Sequence, residues 1–208
     1  MQPPPVAFKP VPLTDLQNAV LANDAPAVAQ AAAAGLRGRR DAAGLLILAL
    51  HRVQKSPEQL PVLRALLDAG ADPNAAYGDR PLEVAIRTGP APVALLLDAG
   101  ADPNRSNPFG DPVFFAATQK PSDLETLKLL LERGASRNLR STRGETALSH
   151  AVAASNWKAV LLLLAQGADI QQAGTADGKS FRELVERSAT IQGERGDLAE
   201  VLRLIRTK

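Results

Sequence analysis

Chemistry that turns over a substrate needs nucleophiles, paired acids and bases, or metal ligands held close together. The 208-residue chain offers few: no cysteine, two histidines (His51 and His150), and three acids, Asp79, Asp111 and Glu145, that each follow a glycine. These acids recur at intervals of 32 and 34 residues. Successive packed layers stand ~8 to 10 Å apart, too far for neighbouring copies to share a proton or an ion. His51 and His150 lie still farther apart, so they cannot hold one metal. No G-x-S-x-G elbow, no H-E-x-x-H pair and no phosphate-cradling glycine loop occurs. No catalytic, cofactor-binding or metal-ligating set is assigned, and the chain reads as a non-enzyme.

Binding chemistry is better represented. Arg52, Arg80, Arg87, Arg105, Arg140 and Arg143 are spread along the middle of the chain, with Tyr77 and Phe109 between them. Arginine beside exposed aromatics is the combination that dominates interface energetics. Nucleic acid is a poor partner for it. The formal charge is only +2, and the arginines are spread without an interleaved platform of stacking aromatics.

The elements that must position these residues are set by a repeat. Leu95-Leu96-Leu97-Asp98-Ala99-Gly100-Ala101-Asp102-Pro103-Asn104 is a near copy of Leu66-Leu67-Asp68-Ala69-Gly70-Ala71-Asp72-Pro73-Asn74. The leucines predict the last turns of a buried helix, and the glycine a left-handed residue just past its end. Asp-Pro-Asn then turns the chain into a loop. Degenerate copies place such glycines at 35, 70, 100, 134 and 167, with spacings of 35, 30, 34 and 33 residues. A period near 33 predicts a solenoid, in which each unit buries its core against its neighbours.

Composition agrees with closely stacked helices. Hydrophobic residues make up 45% of the chain but aromatics only 3%, so the core must be built from Ala, Leu and Val. No run approaches the ~18 to 20 apolar residues of a membrane span. The start lacks the charged and apolar regions of a leader. The expectation is a cytoplasmic protein as written, or a periplasmic one if a natural leader has been removed.

In chain order, residues 1–12 hold five prolines and predict an extended arm. Residues 13–208 predict one repeat domain with repeat ends near Gly35, Gly70, Gly100, Gly134 and Gly167. Thr14 or Asp15 is placed to cap the first helix, and Leu45 to Leu50 reads as buried helix. A tight turn is expected at Gly89-Pro90-Ala91-Pro92. The fourth unit is expected to repeat the plan from Gly110 through Leu131, with one extra residue near Pro121. Residues 175–208, rich in charge, read as a C-terminal capping helix pair.

The fifth unit carries the family likeness: Gly144, Thr146, Leu148, Ala151, Val160, Leu162 to Leu164, Gly167, Ala168 and Asp169 match G-x-T-P-L-H-x-A-A, V-V-x-L-L-L and G-A-D in register. The chain resembles an ankyrin-repeat protein across roughly residues 13–206. No unit has the full T-P-L-H, and the second and third depart from regular length. The resemblance implies an all-α solenoid of about five helix-turn-helix repeats, short hairpin-like fingers and a closing pair. It implies a partner protein held on a concave face by the fingers and inner-helix ends. Carried over by position, that site is Arg52, Tyr77, Asp79, Arg80, Arg87, Arg105, Phe109, Asp111, Gln119, Lys120, Arg140 and Arg143. The expected partner has an acidic surface, and the chain is expected to be monomeric when unbound. The Arg-rich, Lys-poor usage looks bacterial, which suggests an inhibitor or immunity protein that blocks a toxic enzyme. Alternatives are an envelope accessory protein in stress defence and, more remotely, an enzyme subunit.

Overall fold

Four of the outer helices end on the same hydrogen-bonded device. In the computed structural model, which describes residues 13–33, 35–75, 80–119, 124–175 and 178–206, Gly100 has φ +90°. Its N–H donates to Leu97 O at 3.0 Å and that of Ala101 to Leu96 O at 2.8 Å, which satisfies the last carbonyls of the helix. Gly70, Gly134 and Gly167 repeat this pairing with Leu67, Leu131 and Leu164. The sequence period is therefore a period of helix terminations.

Between these stops the chain makes helix pairs: α1 (Leu13–Ala22) and α2 (Ala25–Ala31), α3 (Arg40–Lys55) and α4 (Leu60–Asp68), α5 (Pro81–Thr88) and α6 (Pro90–Asp98). A 3-10 helix (Val113–Thr118) pairs with α7 (Leu124–Glu132), α8 (Ala147–Ala153) with α9 (Trp157–Ala165), and α10 (Phe181–Gln192) with α11 (Gly196–Arg206). The first member of each pair touches the first member of the next, forming an inner row from α1 to α10. The second members touch likewise, forming an outer row from α2 to α11. Among the described residues there is no strand; isolated bridges, Ser106 to Pro112 and Gly174 to Ser180, close the bases of two fingers. One apolar cluster runs from Leu16 to Ile205 through both rows. Leu63, Leu66 and Leu96 are fully buried in it, each contributing roughly 1.5–3 kcal/mol of burial.

Several expected details differ. Helix α1 starts at Leu13, so Thr14 and Asp15 lie inside its first turn, where Asp15 meets the positive end of the helix. At Gly89 the turn is one residue long, and Pro90, Ala91 and Pro92 already belong to α6. Proline is tolerated there because the first helical N–H groups have no partner to lose. In the second pair an added 3-10 turn (Pro57–Gln59) follows the 16-residue α3. In the fourth unit the inner segment is a 3-10 helix rather than an α-helix, and two of its carbonyls accept from side chains. The Thr118 hydroxyl donates to Phe115 O at 2.8 Å and Asn156 Nδ2 donates to Thr118 O at 3.0 Å. The extra residue expected near Pro121 and the Pro-rich residues 1–12 lie outside the described residues.

The asparagine of each Asp-Pro-Asn turn joins one unit to the next. Asn74 Nδ2 donates to Gly100 O at 2.9 Å while its Oδ1 accepts from Asp102 N at 2.8 Å. Asn104 treats Gly134 O and Ser136 N in the same way, at 3.0 and 2.7 Å. Asn138 Oδ1 accepts from Asp169 N at 2.9 Å. A carboxamide presents one donor and one acceptor side by side, which a carboxylate or an alkyl group cannot. Replacing Asn104 by Ala should cost about 1–2 kcal/mol in chemical denaturation, and more than Asn138→Ala, which loses a single such bond. Gly100→Val should cost about 1–2 kcal/mol through its left-handed backbone, also read by denaturation.

Candidate partner-binding surface

The fingers are built on a short polar residue that the sequence reading missed. Asn107, Ser141 and Thr175 lie 34 residues apart, and each side-chain oxygen accepts the N–H four residues on: Asp111 at 3.1 Å, Glu145 at 3.2 Å and Lys179 at 3.2 Å. The backbone closes each turn around it, with Gly110 N donating to Asn107 O at 3.0 Å and Gly144 N to Ser141 O at 2.9 Å. That small polar residue, four before the residue that follows the finger glycine, was the available signal.

Adjacent fingers then stack. Thr142 N donates to Gly110 O at 3.2 Å, and the Thr142 hydroxyl to Phe109 O at 3.3 Å. A Cβ on Gly110 would lie 2.3 Å from Thr142 Cγ2, so glycine is required for the approach as well as for its φ of +82°. Phe109 stands at this hydrogen-bonded tip with 83% of its surface exposed. Its backbone is held by neighbours and its ring is not covered.

The arginines assigned to the surface are mostly occupied by the protein itself. Arg52 donates from Nε to Gln59 Oε1 at 2.9 Å and from Nη2 to Leu21 O at 2.8 Å, tying α3 to the end of α1. Arg87 pairs with Glu83 one helical turn back at 2.6 Å. Arg105 Nη1 reaches back to Asn74 O at 2.9 Å, and Arg140 Nη2 reaches forward to Gln172 O at 2.6 Å. Arg80, half-buried, lines the same narrow crevice as Arg105. Gln119 is exposed at the end of the fourth inner segment. Tyr77, Asp79 and Lys120 lie outside the described residues.

Arg143 brings two of the recurrent acids together. Its Nη2 stands 3.4 Å from Asp111 and 3.0 Å from Glu145, both half-buried. One guanidinium from the finger thus bridges the acids of consecutive units.

Behind this bridge sits His150, on α8. Its Nδ1 is 2.8 Å from the Thr118 hydroxyl, and its ring lies 5.3 Å from that of Phe115. With the hydroxyl proton on Phe115 O, the neutral ring carries its own proton on Nδ1. Burial pushes the His150 pKa below its ordinary value; Glu145 and then Asp111 oppose this, and Arg143 reinforces it. Because the folded value is the lower one, the unfolded chain takes up the proton first as pH falls. The contribution of neutral His150 is therefore complete above the ordinary pKa of 6.5 and is lost as pH falls through the folded value. The unfolding temperature of the protein should fall more steeply on acidification below that point than the unfolding temperature of His150→Gln, measured across one pH series.

Among the described residues, no group of three His, Asp or Glu side chains is arranged to hold a metal, and no helix is long and apolar enough to cross a membrane. Stacked fingers lie beside a row of helix ends, with an exposed aromatic at the tip of one. Comparison with known proteins supplies the class. Residues 82–174 match the family model for Ankyrin repeats (3 copies), so ankyrin repeats are present in this chain, and such repeats are in general non-enzymatic modules that bind other proteins. A curated relative, the Probable E3 ubiquitin-protein ligase XBOS33 of Oryza sativa subsp. japonica, is 36% identical over 130 residues. That stretch is 61% of this chain and 24% of the relative, so the shared region is about a quarter of the relative's length. The match to a rice protein does not bear out the bacterial look of the composition.

Proposed function

We propose that this protein holds a partner protein against its fingers and the adjoining ends of the inner row, with Phe109 as the apolar anchor. The exposure of Phe109 on a turn fixed by Asn107 and Thr142 carries this reading. An aromatic whose backbone is already ordered loses little freedom on docking, and such side chains are the residues most often decisive at interfaces. The helix pairs from α1 to α9 are read as five repeats closed by α10 and α11, whose charged residues suit an outer face in water.

The partner's docking surface is taken to be acidic around an apolar pocket. Arg143 and Arg87 keep 58% and 51% of their side chains exposed while paired internally, so each can turn from its own carboxylate to one on a partner. If the partner is an enzyme, coverage of its active site would make this protein an inhibitor or immunity factor. A partner with no activity to block would make it a scaffold.

Affinity capture with the intact chain, followed by purification of the captured protein, tests both points. Phe109→Ala should leave the unfolding temperature unchanged and weaken the complex by roughly 30-fold, about 2 kcal/mol. Arg87→Glu should act mainly on the association rate and on its salt dependence. Unchanged binding by Phe109→Ala would sink the finger-tip site. Loss of the partner's activity on titration with this protein would support inhibition, and undiminished activity would leave the scaffold reading.

A further inference from the structure

The carboxamide link between units is missing at the first junction. Hydrogen bonds closing the turns align the units: Arg39 N to Leu36 O at 3.1 Å corresponds to Ala75 N to Asp72 O at 3.2 Å and Leu139 N to Ser136 O at 3.2 Å. The residue that occupies the place of Asn74, Asn104 and Asn138 is therefore Gly38, which has no side chain to offer. The first turn instead sits nearer its neighbour through a backbone bond, Leu36 N to Ala69 O at 2.7 Å. That leaves Gly70 O and Asp72 N, the counterparts of the pair that Asn74 fills on Gly100 and Asp102, with no hydrogen-bond partner among the described residues.

Gly70 and Asp72 line a crevice of about 570 Å³, together with Gly38, Arg37 and Arg64 and the carboxylates of Asp68 and Asp98. Among the described residues neither of these arginines has an ion-pair or hydrogen-bond partner. A Cβ built on Gly38 would meet nothing within 4 Å. The crevice thus combines a backbone carbonyl and N–H without a protein partner, room for a side chain at Gly38, and two guanidinium groups set among three carboxylates.

We propose that this crevice is a recognition site for a carboxamide side chain, Asn or Gln, carried on a partner polypeptide. The same protein shows the chemistry at its second and third junctions, where an Asn side chain satisfies the equivalent carbonyl and N–H together. Arg37 and Arg64 can then donate to backbone carbonyls of the incoming segment. The site is separate from the finger surface and does not depend on it.

The probe is the capped peptide acetyl-Asp-Pro-Asn-N-methylamide, titrated into the isotope-labelled full chain while its amide resonances are followed. Saturable shifts at Gly70, Ala71 and Asp72 are expected. The Ala and Asp versions of the peptide should bind at least roughly tenfold more weakly, as the loss of one to two hydrogen bonds implies. Gly38→Asn, which restores a side chain of the linking type at a φ of +77°, should abolish the shifts, since Asn tolerates that region better than most residues. Gly38→Ala should keep them and so report any effect of backbone strain alone. Phe109→Ala should bind the peptide normally. Absence of shifts at these amides overturns the proposal, as does equal binding of the Asp peptide, which would mark an anion site at the arginines. Undiminished binding by folded Gly38→Asn would do the same.

Discussion

Helix ends and loops leave backbone groups that must find partners, and in a stack of short helices there are many of them. This protein meets the constraint by letting each unit satisfy its neighbour. The linking asparagine takes a carbonyl and an N–H from the following unit at once, as Asn74 does on Gly100 and Asp102. Asn156 does the same between layers, capping α9 through Ala159 N while binding Thr118 O of the preceding unit. Apolar burial supplies the driving force, but it is roughly proportional to area and does not fix direction. The bidentate polar links set the spacing and rotation of one unit on the next, and therefore the spacing of the fingers.

The arginines extend the same system. Arg105 and Arg140 donate to backbone carbonyls about one unit away, and Arg133 pairs with Asp98 across two outer helices at 2.5 Å. Exposed pairs of this kind contribute little individually. Their effect on the surface is greater than their effect on stability, because a guanidinium already bonded to the protein presents a fixed, partly neutralised group instead of a free cation. A face that looks basic in sequence is in structure a lattice of internal bonds. Phe109, which no bond of this kind covers, stands out from it.

The repeat period, the helix ends and the left-handed glycines were legible because they depend on local stereochemistry: a glycine after a leucine run, then Asp-Pro-Asn, allows few other readings. Finger residues were found by position, Phe109 among them. What Arg52, Arg105, Arg140 and Arg143 actually hold was not legible, since each partner is set by how adjacent units stack. His150 shows the same limit. One residue along from the family's usual histidine place, which Ser149 fills as part of a capping box with Thr146, it lies against Thr118 and Phe115 of the preceding unit.

Departures from the repeat are then more informative than its copies. Where the period holds, a residue's role follows from the unit before it, and a partner-specific role would have to compete with the link. Where it breaks, that competition is absent. At Gly89 the break shortens a connection between two helices, a geometric outcome. At Gly38 the break removes one side chain and leaves both of its hydrogen-bonding counterparts in place. Backbone groups in an open crevice can be met by water at small cost, so stability does not require the asparagine there. That is why the first junction can keep an unfilled amide site without loosening the stack, while the second and third, which set the register of the fingers, cannot.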